Sequence, residues 1–97
     1  MIFMKAEIVA RHGHAGELLE LLTTRLFPLI ETLGSWRLQG CFLQQTGQLG
    51  TIVALWSMDD HTDFAATLDK MRAHPVYADV SPVLARCVES ETLVLME

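Results

Sequence analysis

Two extended apolar runs, at 35–45 and 51–57, flank the loop Thr46-Gly47-Gln48-Leu49-Gly50, and together they predict a β-hairpin. Pairing the runs about that loop places Trp36, Leu38, Gly40 and Phe42 on one face with Val53 and Leu55. The opposite face then carries Cys41 and Leu43 with Ile52, Ala54 and Trp56. A slip of one residue would exchange the faces of the second run, so the side taken by Trp56 stays open. In either register both faces are apolar. A sheet covered by helices on one side normally leaves its other side polar, so this pattern constrains the fold more than any other feature.

The rest of the chain supplies the covering layer. Alternation of Ile2, Met4, Ala6 and Ile8 against Phe3, Lys5, Glu7 and Val9 predicts a first strand over 2–9. A turn with Gly13 and Gly16 follows. Leu18, Leu19, Leu22, Leu26, Leu29, Ile30 and Leu33 then recur at helical spacing, predicting a helix over 15–32 closed by Gly34, with Pro28 bending its last turns. After the hairpin, Asp59 is expected to cap a helix carrying Phe64, Leu68 and Met71 on one stripe. Pro75 interrupts it, one or two short helical turns are expected to about Leu84, and 88–96 forms a last strand. Strand, helix, hairpin, helix, strand is the ferredoxin-like βαββαβ order. Right-handed crossovers put the first and third strands in the centre of a four-stranded antiparallel sheet. With 97 residues, one domain over 1–97 is expected.

Two helices cover one face of that sheet, and the other requires a second subunit packed sheet to sheet. Burying roughly 400 Å² of apolar surface per subunit yields about 10 kcal/mol gross, before association costs. A homodimer is therefore expected, since large apolar patches are rare on soluble monomers.

Composition excludes several partner classes. Net charge is −5, and the seven basic residues, Lys5, Arg11, Arg25, Arg37, Lys70, Arg72 and Arg86, are scattered. No basic stripe offers itself to a phosphate backbone, so no nucleic-acid partner is expected. Acidity argues against anionic membrane surfaces, and no apolar run approaches the ~20 residues of a membrane span. The segment 1–7 lacks the shape of a signal peptide. With Cys41 and Cys87 at opposite edges of the sheet, two reduced, buried thiols in a cytoplasmic protein are expected.

The chemistry-bearing residues form no familiar constellation. His12 and His14 could chelate an ion only if a third ligand arrived from elsewhere. Neither His61 nor His74 has a ligand neighbour at recognised spacing, so solvent-exposed histidines are the simpler reading and no metal is expected. His61 and His74 remain the candidates for a catalytic base. His61 falls in the first turn of a helix, where the positive helix end disfavours imidazolium while Asp59, Asp60 and Asp63 favour it. No serine lies in a nucleophile elbow. The glycines at 47 and 50 have turn geometry as their explanation, and Glu89 and Glu91 read as a solvated strand edge. Trp36, Phe42, Trp56, Phe64 and Tyr77 gather near the hairpin and second helix. Core and interface packing explains them, and so does a pocket for a flat apolar or aromatic molecule.

Gly40-Cys41-Phe42, followed by Thr46-Gly47-Gln48-Leu49-Gly50-Thr51-Ile52-Val53-Ala54-Leu55-Trp56, resembles the NIPSNAP-like family within the dimeric α+β barrel superfamily. His74-Pro75-Val76-Tyr77 and the Pro82 segment carry the likeness further. Such proteins usually have Asn in place of Gly50, Asp-Pro in place of His74-Pro75 and Trp in place of Tyr77. The resemblance implies a dimer whose two sheets close a barrel-like core. It implies little about chemistry, because fold does not fix function. The superfamily also holds cofactor-free monooxygenases and haem-degrading enzymes, whose sites typically need an Asn beside Trp and His or Tyr. This chain contains no Asn, which argues against carrying those mechanisms over.

The residues thus favour a cofactor-free homodimer binding a small apolar ligand between sheet and helices. The rival is a cofactor-independent monooxygenase or isomerase using His61 or His74, and the plainest alternative is a structural dimer without ligand.

Overall fold

The computed structural model describes residues Met1–Glu97. It contains β1 (Ile2–Ala10), α1 (Ala15–Leu21), a π-helical turn (Leu22–Leu26), α2 (Phe27–Ile30), β2 (Arg37–Leu43), β3 (Thr51–Met58), α3 (His61–Ala73), α4 (Pro75–Cys87) and β4 (Val88–Met96). The strands form one sheet in the order β2-β3-β1-β4, all neighbours antiparallel. This is the ferredoxin-like α+β arrangement, with β1 and β3 central as the right-handed crossovers require.

The core lies between the sheet and its helices. Met4, Ala6 and Ile8 on β1 and Ile52, Ala54 and Trp56 on β3 are almost fully buried there, under Leu18, Leu22, Leu26, Phe27 and Ile30. The register pairs Ala6 with Ala54 and Met4 with Trp56, which settles that Trp56 faces the helices.

The second strand departs from the expected alternation. Leu38 pairs with Trp56 but Gly40 pairs with Leu55, so Gln39 is an extra residue. This β-bulge inverts the strand's phase. Gly40 and Phe42 share the uncovered face with Val53 and Leu55 as expected, whereas Trp36 and Leu38 turn under the helices. Their assignment beside Phe42 is corrected accordingly. Gln39 closes the bulge by donating from Nε2 to Ser57 Oγ at 2.9 Å.

The first helical segment is not one regular helix. Pro28 has no N–H and would clash with the carbonyl four residues earlier. The π turn widens the chain ahead of it, so Pro28 opens the new segment α2, where its missing donor costs nothing. Gly34 is not a left-handed cap, since only Gly13, Gly47 and Gly50 have positive φ. Its role is close approach, because a Cβ there would overlap the Thr67 hydroxyl and lie 3.0 Å from Asp63 Oδ1.

Asp60 rather than Asp59 caps α3, accepting from Asp63 N at 2.8 Å. The backbone N–H of Asp59 instead donates to Ser35 Oγ at 2.8 Å. The expected short turns after Pro75 are a helix of 13 residues, with Pro75 in its first turn and Pro82 inside it. His74 is the hinge between α3 and α4, extended at φ −81° and ψ 140° as a residue before proline prefers. Both cysteines are free thiols, though Cys41 is half-buried rather than buried. No helix is long and apolar enough to cross a membrane.

Candidate functional site

α1 packs closely on β1 and β3, but neither α3 nor α4 approaches a strand as tightly. A cavity of about 450 Å³ lies under them, with the small Ala6 at the middle of the sheet among its lining residues. Nineteen residues line it, sixteen of them hydrophobic, so the cavity suits the apolar body of a ligand. Met4, Ala6 and Ile8 form its floor, and Leu22, Leu26 and Phe27 of the π turn and α2 form one wall. The π turn points its buried leucines inward over this space.

Trp36, Trp56 and Tyr77 all line the cavity. Trp56 holds the centre of an aromatic group: Phe27 meets it edge-on at 5.1 Å and Trp36 at 5.5 Å. Phe64 stacks flat on Trp36 at 5.6 Å, behind the cavity wall rather than in it. Phe42 is not brought into this group, since it projects from the uncovered face and is 57 % exposed. Trp36 is 2 % exposed, and its indole N–H has no hydrogen-bond partner. A buried donor left unpaired costs about 1–3 kcal/mol, so Trp36, one of the lining residues, carries an unmet bond.

Polar groups enter the lining through Arg72, Ser81 and Glu91, besides the Tyr77 hydroxyl. Glu91 pairs with Ile8 across β1 and β4 and therefore faces the helices. It stays exposed to solvent, as a residue at the cavity's rim. Desolvation pushes its carboxyl above the usual range, and the charge of Arg72 only partly opposes this. The sequence shows Glu91 as one of two carboxylates, at 89 and 91; only the strand register reveals which turns inward.

His61 and His74 stand outside the cavity. His61 is exposed, with Nε2 3.2 Å from Glu97 Oε1. His74 caps α4, its Nδ1 accepting from Val76 N at 3.1 Å.

A separate polar cluster lies at the junction of α4 and β4. There the Cys87 thiol donates to Glu17 Oε1 at 3.2 Å, with His14 Nδ1 3.3 Å from the same oxygen. The thiol bond, then His14 and Arg86, hold the Glu17 carboxyl below the usual range. Burial, followed by the hydrogen bond to Glu17 and then its charge, pushes the Cys87 thiol up. His14 and Glu17 are three positions apart, but Cys87 lies 70 or more positions from both, which is why ligand spacing gave no sign of the set.

The uncovered face of the sheet presents Phe3, Phe42, Val94 and Met96, each between 40 % and 57 % exposed. Lys5 and Glu7 form an ion pair at 3.0 Å between them on β1.

Solved structures share this architecture along the full chain. An uncharacterized NIPSNAP domain protein from Burkholderia xenovorans superposes with a TM-score of 0.87 at 24 % identity, covering 100 % of this chain and 93 % of that one. A NIPSNAP family protein from Agrobacterium tumefaciens str. C58 gives 0.85 at 21 % identity, over 100 % and 92 %. An antibiotic biosynthesis monooxygenase gives 0.70 at 19 % identity, over 100 % and 97 %. At these identities the likeness establishes the fold. No curated protein matches the chain in sequence. The family model for NIPSNAP matches residues 9–96, a span that takes in the hairpin and every helix over the cavity, and the chain therefore belongs to the NIPSNAP family.

Proposed function

We propose that the chain is a homodimeric binding protein that takes a small, mainly apolar molecule bearing a hydrogen-bond acceptor into the cavity between sheet and helices. The observation that carries this is the cavity itself, mainly apolar and lined in part by Trp36, whose indole N–H is buried without a partner. After a small shift of the indole, a ligand acceptor would satisfy that donor while the ligand's body displaces water from the aromatic walls. Dimerisation through the uncovered face is supported by its exposed Phe3, Phe42, Val94 and Met96, since sheet-to-sheet packing would remove them from water.

Trp36 and Trp56 make the cavity its own fluorescent reporter. Titration with flat aromatic and acyl-chain alcohols, ketones and acids should give a saturable change at one molecule per chain. Native mass spectrometry should show the same stoichiometry. A panel that produces neither response removes the binding function and leaves a structural dimer. Sedimentation at micromolar concentration should give twice the 10.9 kDa chain mass, and a monomer there would contradict the interface.

A second reading, a cofactor-independent enzyme of the isomerase or monooxygenase type, rests on Glu91. Its raised carboxyl faces the cavity beside Arg72, in a position to exchange a proton that His61 and His74 do not share. Replacing Glu91 by Gln should then abolish turnover and leave binding intact.

A further inference from the structure

We propose that His14, Glu17 and Cys87 form a three-ligand site for a borderline-soft divalent cation, with zinc as its fitting occupant. The donor atoms already stand at the corners of one face of a coordination tetrahedron. Cys87 Sγ lies 3.2 Å from Glu17 Oε1 and 3.7 Å from His14 Nδ1, and Nδ1 lies 3.3 Å from Oε1. Zinc bonded to one sulfur, one nitrogen and one oxygen at ordinary lengths requires edges of about 3.3–3.6 Å. The three separations agree with that to a few tenths of an ångström.

The frame around the donors is fixed by backbone. Arg11 N donates to the Cys87 carbonyl at 2.7 Å, His14 N to the Arg11 carbonyl at 2.9 Å, and Leu18 N to the His14 carbonyl at 2.9 Å. The turn before α1 is thereby tied to the end of α4. His14 occupies the N-cap of α1 but makes no side-chain capping bond, whereas His74 uses its ring to cap α4. The His14 ring is spent on Glu17 and Cys87 instead. Glu17 divides its oxygens: Arg86 donates to Oε2 at 2.6 Å and leaves Oε1 toward the other two donors. Such an outer partner orients a ligating carboxylate.

The donor set selects the ion. A thiolate and an imidazole favour zinc over magnesium or calcium, which take oxygen ligands. Binding displaces the Cys87 thiol proton to solvent, and the His14 ring proton resides on Nε2. Two ligand charges, thiolate and carboxylate, then balance the dication. Cys87 is fully buried, while the His14 and Glu17 side chains are 35 % and 46 % exposed, so the ion enters from their side and a water completes its shell. None of the three residues lines the cavity.

The alternative, a nucleophilic thiol activated by histidine, fails because Cys87 is sealed from any substrate. The remaining one, a hydrogen-bonded cluster that never takes metal, is what the experiment decides. Untagged full-length protein, stripped with chelator and dialysed against zinc, should retain one zinc per chain by elemental analysis. Cobalt in its place should give a thiolate charge-transfer band with the visible bands of a four-coordinate ion. His14→Ala and Glu17→Gln, both at the surface, should weaken zinc binding at least about 100-fold, and Arg86→Met about 10-fold. Cys87→Ser should lose the charge-transfer band, and His12→Ala should bind as the parent does. No stoichiometric zinc in the parent, or binding that survives both His14→Ala and Glu17→Gln, overturns the site even if Cys87→Ser does not fold.

Discussion

Enlarging Ala6 tests whether the space under α3 and α4 is real and whether it is where ligands go. Ala6 is 4 % exposed at the centre of β1, facing the helices, with Ala54 opposite on β3 and Leu93 on β4. Leucine there adds three carbons to the cavity floor. Burial is worth about 0.8 kcal/mol for each, or about 2.4 kcal/mol together. Fixing the new side chain costs ~0.5–1 kcal/mol of that. The Ala6→Leu protein should therefore gain about 1.5 kcal/mol in urea unfolding at fixed protein concentration. Its Tm should rise by roughly 6–12 °C. The same substitution should weaken the binding of an apolar fluorescent probe about 10-fold or more, because the probe and the leucine compete for one volume. Stabilisation with loss of binding is an unusual pair of effects. A loss of 1–3 kcal/mol, as overpacked cores show, together with unaltered probe binding, would refute both the cavity and its role.

Four further outcomes follow from other parts of the molecule. Phe42→Glu, at a side chain 57 % exposed on the uncovered face, should shift sedimentation from dimer to monomer while leaving the helix-side core intact by near-ultraviolet circular dichroism. Gly34→Ala should destabilise by about 1–3 kcal/mol, because the new methyl meets Thr67 and Asp63. Asp63, held below the usual carboxylate range by the Ser35 hydroxyl and then the Ser35 N–H, stabilises the fold at neutral pH. That contribution should be about 1 kcal/mol after solvent screening, and it should disappear as pH falls through about 4 and below. Parent and Asp63→Asn denaturation curves should therefore converge in acid. His74→Ala should cost about 1 kcal/mol through the lost cap on α4, with no change in ligand binding.

Element order, sheet order and the two faces of β1 were all legible, because alternation along 2–9 and leucine spacing along 15–33 are strong periodic signals. The same reasoning erred where a local device broke the period. Gln39 shifts the phase of β2, and nothing in a run such as Arg37-Leu38-Gln39-Gly40 announces which residue bulges. After Pro75, a proline taken as an interruption proved to be a helix start, since its fixed φ suits a first turn as readily as a break. Among the site residues, Trp36, Trp56 and Tyr77 line the cavity, while Phe64 backs it and Phe42 lies on the other side of the sheet. The cavity itself had a signal that composition hid: the small Ala6 sits in its floor, where a larger residue would fill the space. Of the His14, Glu17 and Cys87 cluster only the His14 and Glu17 pair is close in sequence, and Cys87 joins it through the fold alone.

The extra residue in β2 has a consequence for how the family can diversify. Side chains before Gln39 help build the cavity wall and its surroundings, and those after it, at Gly40 and Phe42, belong to the surface proposed for assembly. Removing one residue there would restore strict alternation and exchange the duties of Trp36 and Arg37 without altering either. Chain length at a single point of an edge strand, rather than the identity of any side chain, thus decides what a ligand would touch. Homologues differing by one residue there could share a partner face and still hold different molecules.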